Sequence, residues 1–88
     1  MNLKSRIRVF VKLGEYLKKD IYKYESESLY KAEVLNPWFT QENINKAINA
    51  WQVQLKEDML MSWLNPYKLK EISNPKKVLV IMAGNIPL

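Results

Sequence analysis

Few side chains in this sequence could do chemistry, and their scarcity narrows the field. The 88 residues include no cysteine and no histidine, so a thiolate nucleophile, a thiolate metal site, a disulfide and an imidazole base are all missing. The acidic residues are scattered. The adjacent pair Glu57-Asp58 fits the first turn of a helix, where negative charge complements the dipole, better than a paired-carboxylate site. No glycine-rich phosphate loop can be built, because the only glycines are Gly14 and Gly84. Trp38, Trp51 and Trp63 could serve as stacking platforms. Each, however, stands among apolar neighbours at helical or capping spacing and reads as core. That leaves Asn85, in a turn directly after an apolar run, where asparagine is either an ordinary turn former or a fixed amide donor. By itself the chain is not expected to catalyse a reaction.

The element that would position Asn85 is the run Val78-Leu79-Val80-Ile81-Met82. It is short, continuous and rich in β-branched residues, with Lys76-Lys77 on one side and Ala83-Gly84-Asn85 on the other, which predicts a strand. Both of its faces are apolar, as in the middle of a parallel sheet covered by helices. No other stretch reads as a strand. Buried backbone groups without partners cost about 1 to 3 kcal/mol each, so the sheet neighbours are expected in another part of a larger protein, of which this chain would be the front end. In a preparation of the chain alone the strand is expected to self-associate, and Lys76-Lys77 reads as a gatekeeper pair in front of a sticky segment.

Before the strand the pattern is helical. Leu3, Ile7, Phe10, Leu13, Leu17 and Ile21 recur at three- and four-residue steps and predict an amphipathic helix from Leu3 to about Tyr22. Gly14 inside it costs up to about 1 kcal/mol relative to Ala, which points to close approach of another element. A second helix is expected from the Asp20 to Ser28 region to Leu35, with Leu29, Ala32 and Val34 or Leu35 inward. Pro37 disfavours helix at Asn36 and ends it. Thr40 then suits the N-cap of a third helix, with Phe39 and Ile44 placed for a hydrophobic staple, although Asn43 stands where a capping box would have Glu or Gln. Ile44, Ala47, Ile48, Trp51 and Leu55 form its apolar stripe. A short fourth helix, Glu57 to Leu64, pairs Met59 with Trp63 and Leu60 with Leu64. The expected fold is therefore mainly α: a bundle of about four helices over residues 1–66, a linker over 67–77, and over 78–88 the first strand and turn of an α/β domain.

The chain carries a formal charge of +5, all of it in residues 1–24. There Lys4, Arg6, Arg8, Lys12, Lys18, Lys19 and Lys23 face only Glu15 and Asp20, and the remainder is balanced. A basic amphipathic helix can dock on nucleic acid or on an anionic membrane, and a small interaction module of that kind is the alternative function; the plainer reading is a solvated, lysine-rich outer face. No apolar run approaches the roughly 20 residues needed to span a bilayer, and Met1-Asn2-Leu3-Lys4-Ser5-Arg6 is unlike a secretory signal. A cytoplasmic location follows as the default.

From Lys76-Lys77-Val78 through Ala83-Gly84-Asn85-Ile86-Pro87-Leu88 the chain resembles the strand and turn that open the cofactor-binding domain of bacterial long-chain acyl-CoA reductases. These are relatives of the luminescence fatty-acid reductase within the aldehyde dehydrogenase superfamily. The stretch from Asn36-Pro37-Trp38-Phe39-Thr40 to Trp63 is similar to the helical region preceding that domain. The resemblance implies an enzyme that reduces a fatty acyl thioester to an aldehyde with NADPH or NADH. Asn85 would donate its amide to the oxyanion formed when a cysteine attacks the acyl carbon, a contribution of about 3 kcal/mol. The backbone at Ala83 and Gly84 would pass close to the nicotinamide cofactor, and the catalytic cysteine would lie beyond Leu88. Gly84 stands where the wider superfamily more often has tryptophan, as in the reductase branch. No metal is implied.

Overall fold

The structure is a computed structural model that describes residues 1–71 and 73–82. Among these residues the regular structure is entirely helical: α1 (Leu3–Lys19), α2 (Ile21–Tyr24), α3 (Ser26–Leu35), α4 (Gln41–Gln54) and α5 (Glu57–Leu64). The first expected helix is broken after Lys19, and the single turn of α2 carries the chain to Glu25. The later helices fall close to where periodicity and breakers put them.

Local chemistry explains most of the boundaries. The side chain of Asn2 accepts a hydrogen bond from the Ser5 amide at 2.8 Å and caps α1. Thr40 caps α4 in the same way, accepting from the Asn43 amide at 3.2 Å. At the end of α3, Asn36 adopts extended backbone, as a residue before proline should. Its side chain then accepts from the Trp38 amide at 3.1 Å, closing the turn.

The core is small. Ile48 from α4 and Leu55 at its end are buried, Gly14 of α1 is buried against Leu55, and Ile7 is buried in the first half of α1, which faces α5. Burying each such aliphatic side chain stabilises the fold by about 1.5 to 3 kcal/mol. Gly14 meets Leu55 as its cost in helix propensity suggests it should. A Cβ at position 14 would stand 2.9 Å from the Leu55 Cβ, so the crossing depends on having no side chain there. Polar ties fix the other seams. Gln52 Nε2 donates to the Leu17 carbonyl at 3.0 Å, and Tyr22 donates to Asn45 Oδ1 at 2.9 Å. Gln41 Nε2 donates to the Leu29 carbonyl at 2.7 Å, joining α4 to α3. After α5 the chain returns to the start of α1, where the Glu71 carboxylate accepts from the Leu3 amide at 3.2 Å.

Burial departs from the sequence pattern in three places. Trp38, Trp51 and Trp63 are 86, 40 and 66% exposed, so the tryptophans do not form the core. Neither Val34 nor Leu35 turns inward: both project at the end of α3. On α1 the stripe is only partly covered, with Phe10 and Leu13 about half exposed. The common cause is a shortage of covering elements. The accessible surface is 8,094 Å² for a 10.4 kDa chain, whereas a compact monomer of that mass exposes about 5,400 Å². The radius of gyration, 15.9 Å, likewise exceeds the roughly 12 Å of a compact domain of this length.

Residues 78–82 account for part of that excess. Val78, Leu79, Val80, Ile81 and Met82 are 52 to 89% exposed. They carry neither helix nor strand, and no backbone hydrogen bond between described residues reaches them.

Candidate functional site

Three surface features are candidates. The first is the apolar run with the turn after it. Of the residues singled out from the sequence there, Ala83, Gly84 and Asn85 lie outside the described residues. What the structure describes is the run that leads to them, Val78–Met82, which is 52 to 89% exposed.

A second feature is a groove of about 260 Å³ between the first half of α1 and α5. Leu3, Ile7 and Phe10 form one wall and Leu60, Trp63 and Leu64 the other, with Leu69 closing the end. The geometry follows from the stripes on the two helices. The inward side chains of α5 are Leu60 and Leu64, one turn apart, and Trp63 flanks them at the rim. Among the described residues Arg6, Lys70 and Glu71 supply its charges, and Glu71 accepts a hydrogen bond from the Leu3 amide. Among the described residues its walls are mainly apolar and hold no nucleophile, imidazole or acid pair. Sequence reasoning missed it. The four-residue spacing of Leu60 and Leu64 puts both on one side of α5, where they line the groove, but it gave no sign that α1 would leave space beside them.

The basic arc of α1 and α2 is the third. Lys4, Arg6, Arg8, Lys12, Lys18, Lys19 and Lys23 are all exposed. The ion pairs among the described residues are elsewhere, Glu27 with Lys31 on α3 and Glu42 with Lys46 on α4, each at i,i+4 spacing on an exposed face. Exposed pairs of this kind contribute at most about 0.5 kcal/mol. Lys23 lies 4.9 Å from the centroid of the Tyr24 ring, a surface cation–π contact. Exposure is what solvated lysines show in any protein, so the arc by itself does not point to nucleic acid or membrane.

The titratable groups supply no catalytic constellation among the described residues. No group of three acidic side chains gathers as a metal site would require. Glu57 and Asp58 occupy the first turn of α5, and Asp58 accepts from the Met59 amide at 2.9 Å, which is a helix-start role. Partial burial, and after it the nearby carboxylates of Glu25 and Asp20, hold the Tyr16 phenol above its ordinary range, so it stays protonated and offers no base. No helix among the described residues is long and apolar enough to cross a membrane.

No protein-family model, curated protein or solved structure matches the chain. A functional reading therefore rests on the residues and on the surfaces that they leave uncovered.

Proposed function

We propose that this chain is the N-terminal part of a cytoplasmic long-chain acyl-CoA reductase of the aldehyde dehydrogenase superfamily. In this reading residues 1–66 are its leading helical region, 67–77 a linker and 78–88 the first strand and turn of the cofactor-binding domain. One observation carries the reading: five consecutive apolar residues, the sequence most like a sheet interior, are left 52 to 89% exposed, and the regular elements among the described residues are helices that offer them no strand edge. The motif that follows, Ala83-Gly84-Asn85-Ile86-Pro87, supplies the chemistry. Asn85 donates its side-chain amide to the oxyanion, and the backbone at Ala83 and Gly84 passes the nicotinamide of NADPH or NADH. The nucleophile is a cysteine from the rest of the polypeptide.

Roles in the reaction divide accordingly. Attack of the thiolate on the acyl thioester builds negative charge on the carbonyl oxygen, and a preorganised amide stabilises that charge without moving. Bound NADPH or NADH, held beside the backbone of Ala83 and Gly84, would supply the hydride; CoA would leave as its thiolate when the enzyme thioester forms, and the cysteine thiolate would leave when that thioester is reduced to the aldehyde. The helical region takes no chemical step.

The test is the whole reading frame containing these codons, expressed and assayed for acyl-CoA-dependent oxidation of reduced nicotinamide. Turnover is expected, and Asn85→Ala should lower kcat by about 100- to 1,000-fold, the usual cost of losing one oxyanion donor. A reading frame without a cysteine in a catalytic setting, or turnover by the 88-residue chain itself, would overturn the proposal. Asn85→Ala with normal kcat and lowered stability would reduce Asn85 to a turn former.

A further inference from the structure

The groove between α1 and α5 takes no step in the proposed reductase chemistry, yet its composition points to a ligand of one kind. Seven of the ten residues that line it are apolar, and the three charged ones, Arg6, Lys70 and Glu71, are exposed and so stand at its mouth. The ion pairs among the described residues lie on α3 and α4, which leaves both cations open to a partner. Glu71 accepts from the Leu3 amide at 3.2 Å, so its carboxylate is turned toward the start of α1. Two positive groups against one negative group leave the mouth net positive above apolar walls.

The complement of such a surface is an apolar tail that ends in an anion. Shape favours a single molecule over a bilayer, because a lipid surface is met by side chains that protrude, whereas these walls enclose a recess. Size sets the tail. An apolar cavity of about 150 Å³ takes benzene, with six carbons, so at similar packing the groove's 260 Å³ takes about ten. Arg6 selects the head, since the planar guanidinium fork matches a carboxylate through two parallel N–H···O bonds. We propose that the groove binds a free medium-chain alkyl carboxylate of about ten carbons, its tail between Phe10 on one wall and Leu60 and Leu64 on the other, its head at Arg6 and Lys70. No reaction is assigned to the site. It rests on residues 3–71 and is independent of the acyl-CoA reductase reading, which stands or falls on turnover by the whole reading frame.

Sodium decanoate, titrated into the 88-residue chain below the concentration at which it forms micelles and followed by calorimetry, tests the assignment. Saturable binding of one molecule per chain is expected. Affinity should rise about fourfold per methylene from hexanoate to decanoate, the increment for burying a CH₂ group, and level off for longer tails that outrun the groove. Decylammonium should bind about tenfold more weakly or less, as should decanoate to the double variant Arg6→Gln with Lys70→Gln. Both of those side chains are exposed, so the helical circular dichroism of the double variant should be unchanged. Trp63→Ala, at an exposed wall residue, should weaken decanoate several-fold, and Ile81→Ser, outside the groove, should leave it unaltered. Decylammonium binding as tight as that of decanoate, or an affinity indifferent to Arg6 and Lys70, would overturn the proposal. So would binding that survives Trp63→Ala and is lost with Ile81→Ser, which would place the ligand on the apolar run instead. A chain that sediments with phosphatidylglycerol vesicles but shows no saturable binding of dissolved decanoate would refute it in favour of a membrane surface.

Discussion

Ile48 and Ile81 are the same residue in opposite circumstances, 8% exposed where α4 crosses α1 and 89% exposed in the segment after the helices. Both stand in sequence patterns that predict burial, one at the 3.6-residue period and one in a continuous apolar run. The difference is the presence of a partner. At the α1–α4 seam the opposing surface belongs to the same folded unit, whereas Ile81 is left almost fully exposed. Periodicity therefore reports the face a segment was shaped to bury, and only the inventory of other elements says whether the burial happens within this chain.

The comparison breaks if the two sites respond alike to truncation. Ile48→Ala is expected to cost about 2 to 5 kcal/mol, the range for opening a cavity in a packed core. In a core with so few buried residues that is enough to unfold much of the helical structure, read as a fall in the thermal midpoint by circular dichroism. Ile81→Ala, measured at dilutions where the chain is monomeric, should change stability by less than about 0.5 kcal/mol. Comparable losses at both positions would show that residues 78–82 pack on the helical body in solution.

A smaller effect sharpens the seam itself. In most exposed helix interiors Gly→Ala stabilises by up to about 1 kcal/mol. At position 14 the new methyl would stand 2.9 Å from the Leu55 Cβ, an atom attached directly to backbone that cannot swing aside. Overpacking of this kind typically costs about 1 to 3 kcal/mol. Gly14→Ala should therefore be net destabilising by roughly 1 kcal/mol, and chemical denaturation that shows it more stable than the parent would mean that the helices part easily there.

The sequence alone was enough to place the helix ends that are fixed by local chemistry: Thr40 as a cap, Pro37 as a stop, and Gly14 as a point of close approach all act within a few residues or through one missing side chain. The break after Lys19 was not legible, because Ile21 keeps the apolar spacing while Asp20 turns the backbone. Nor was the exposure of Trp38, Trp63 and Leu35, since apolar spacing gives a direction around the helix axis and not the number of helices available on that side. The groove between α1 and α5 escaped for the same reason. Of the candidate site, the sequence named Ala83, Gly84 and Asn85 through a motif, and those residues lie outside the described ones. Their approach segment shows what a motif cannot, namely that the helical region leaves it uncovered.

The least effect is expected at the edge of the seam, where Tyr16 is half buried near the turn into α2. Its phenol is held above the usual value of 10.0 by desolvation first and by the charges of Glu25 and Asp20 second. A folded-state pKa above the unfolded one means that the native chain holds this proton more tightly. The corresponding stability is complete below about pH 10 and is lost as the pH climbs through the raised folded value. Tyr16→Phe has no such proton to lose. Melting curves taken at rising alkaline pH should thus fall slightly more steeply for the parent than for Tyr16→Phe, with the two running parallel at neutral pH. Identical slopes would place the Tyr16 hydroxyl in bulk-like water and shift the border of the seam from Tyr16 to Leu17, whose carbonyl is tied to Gln52.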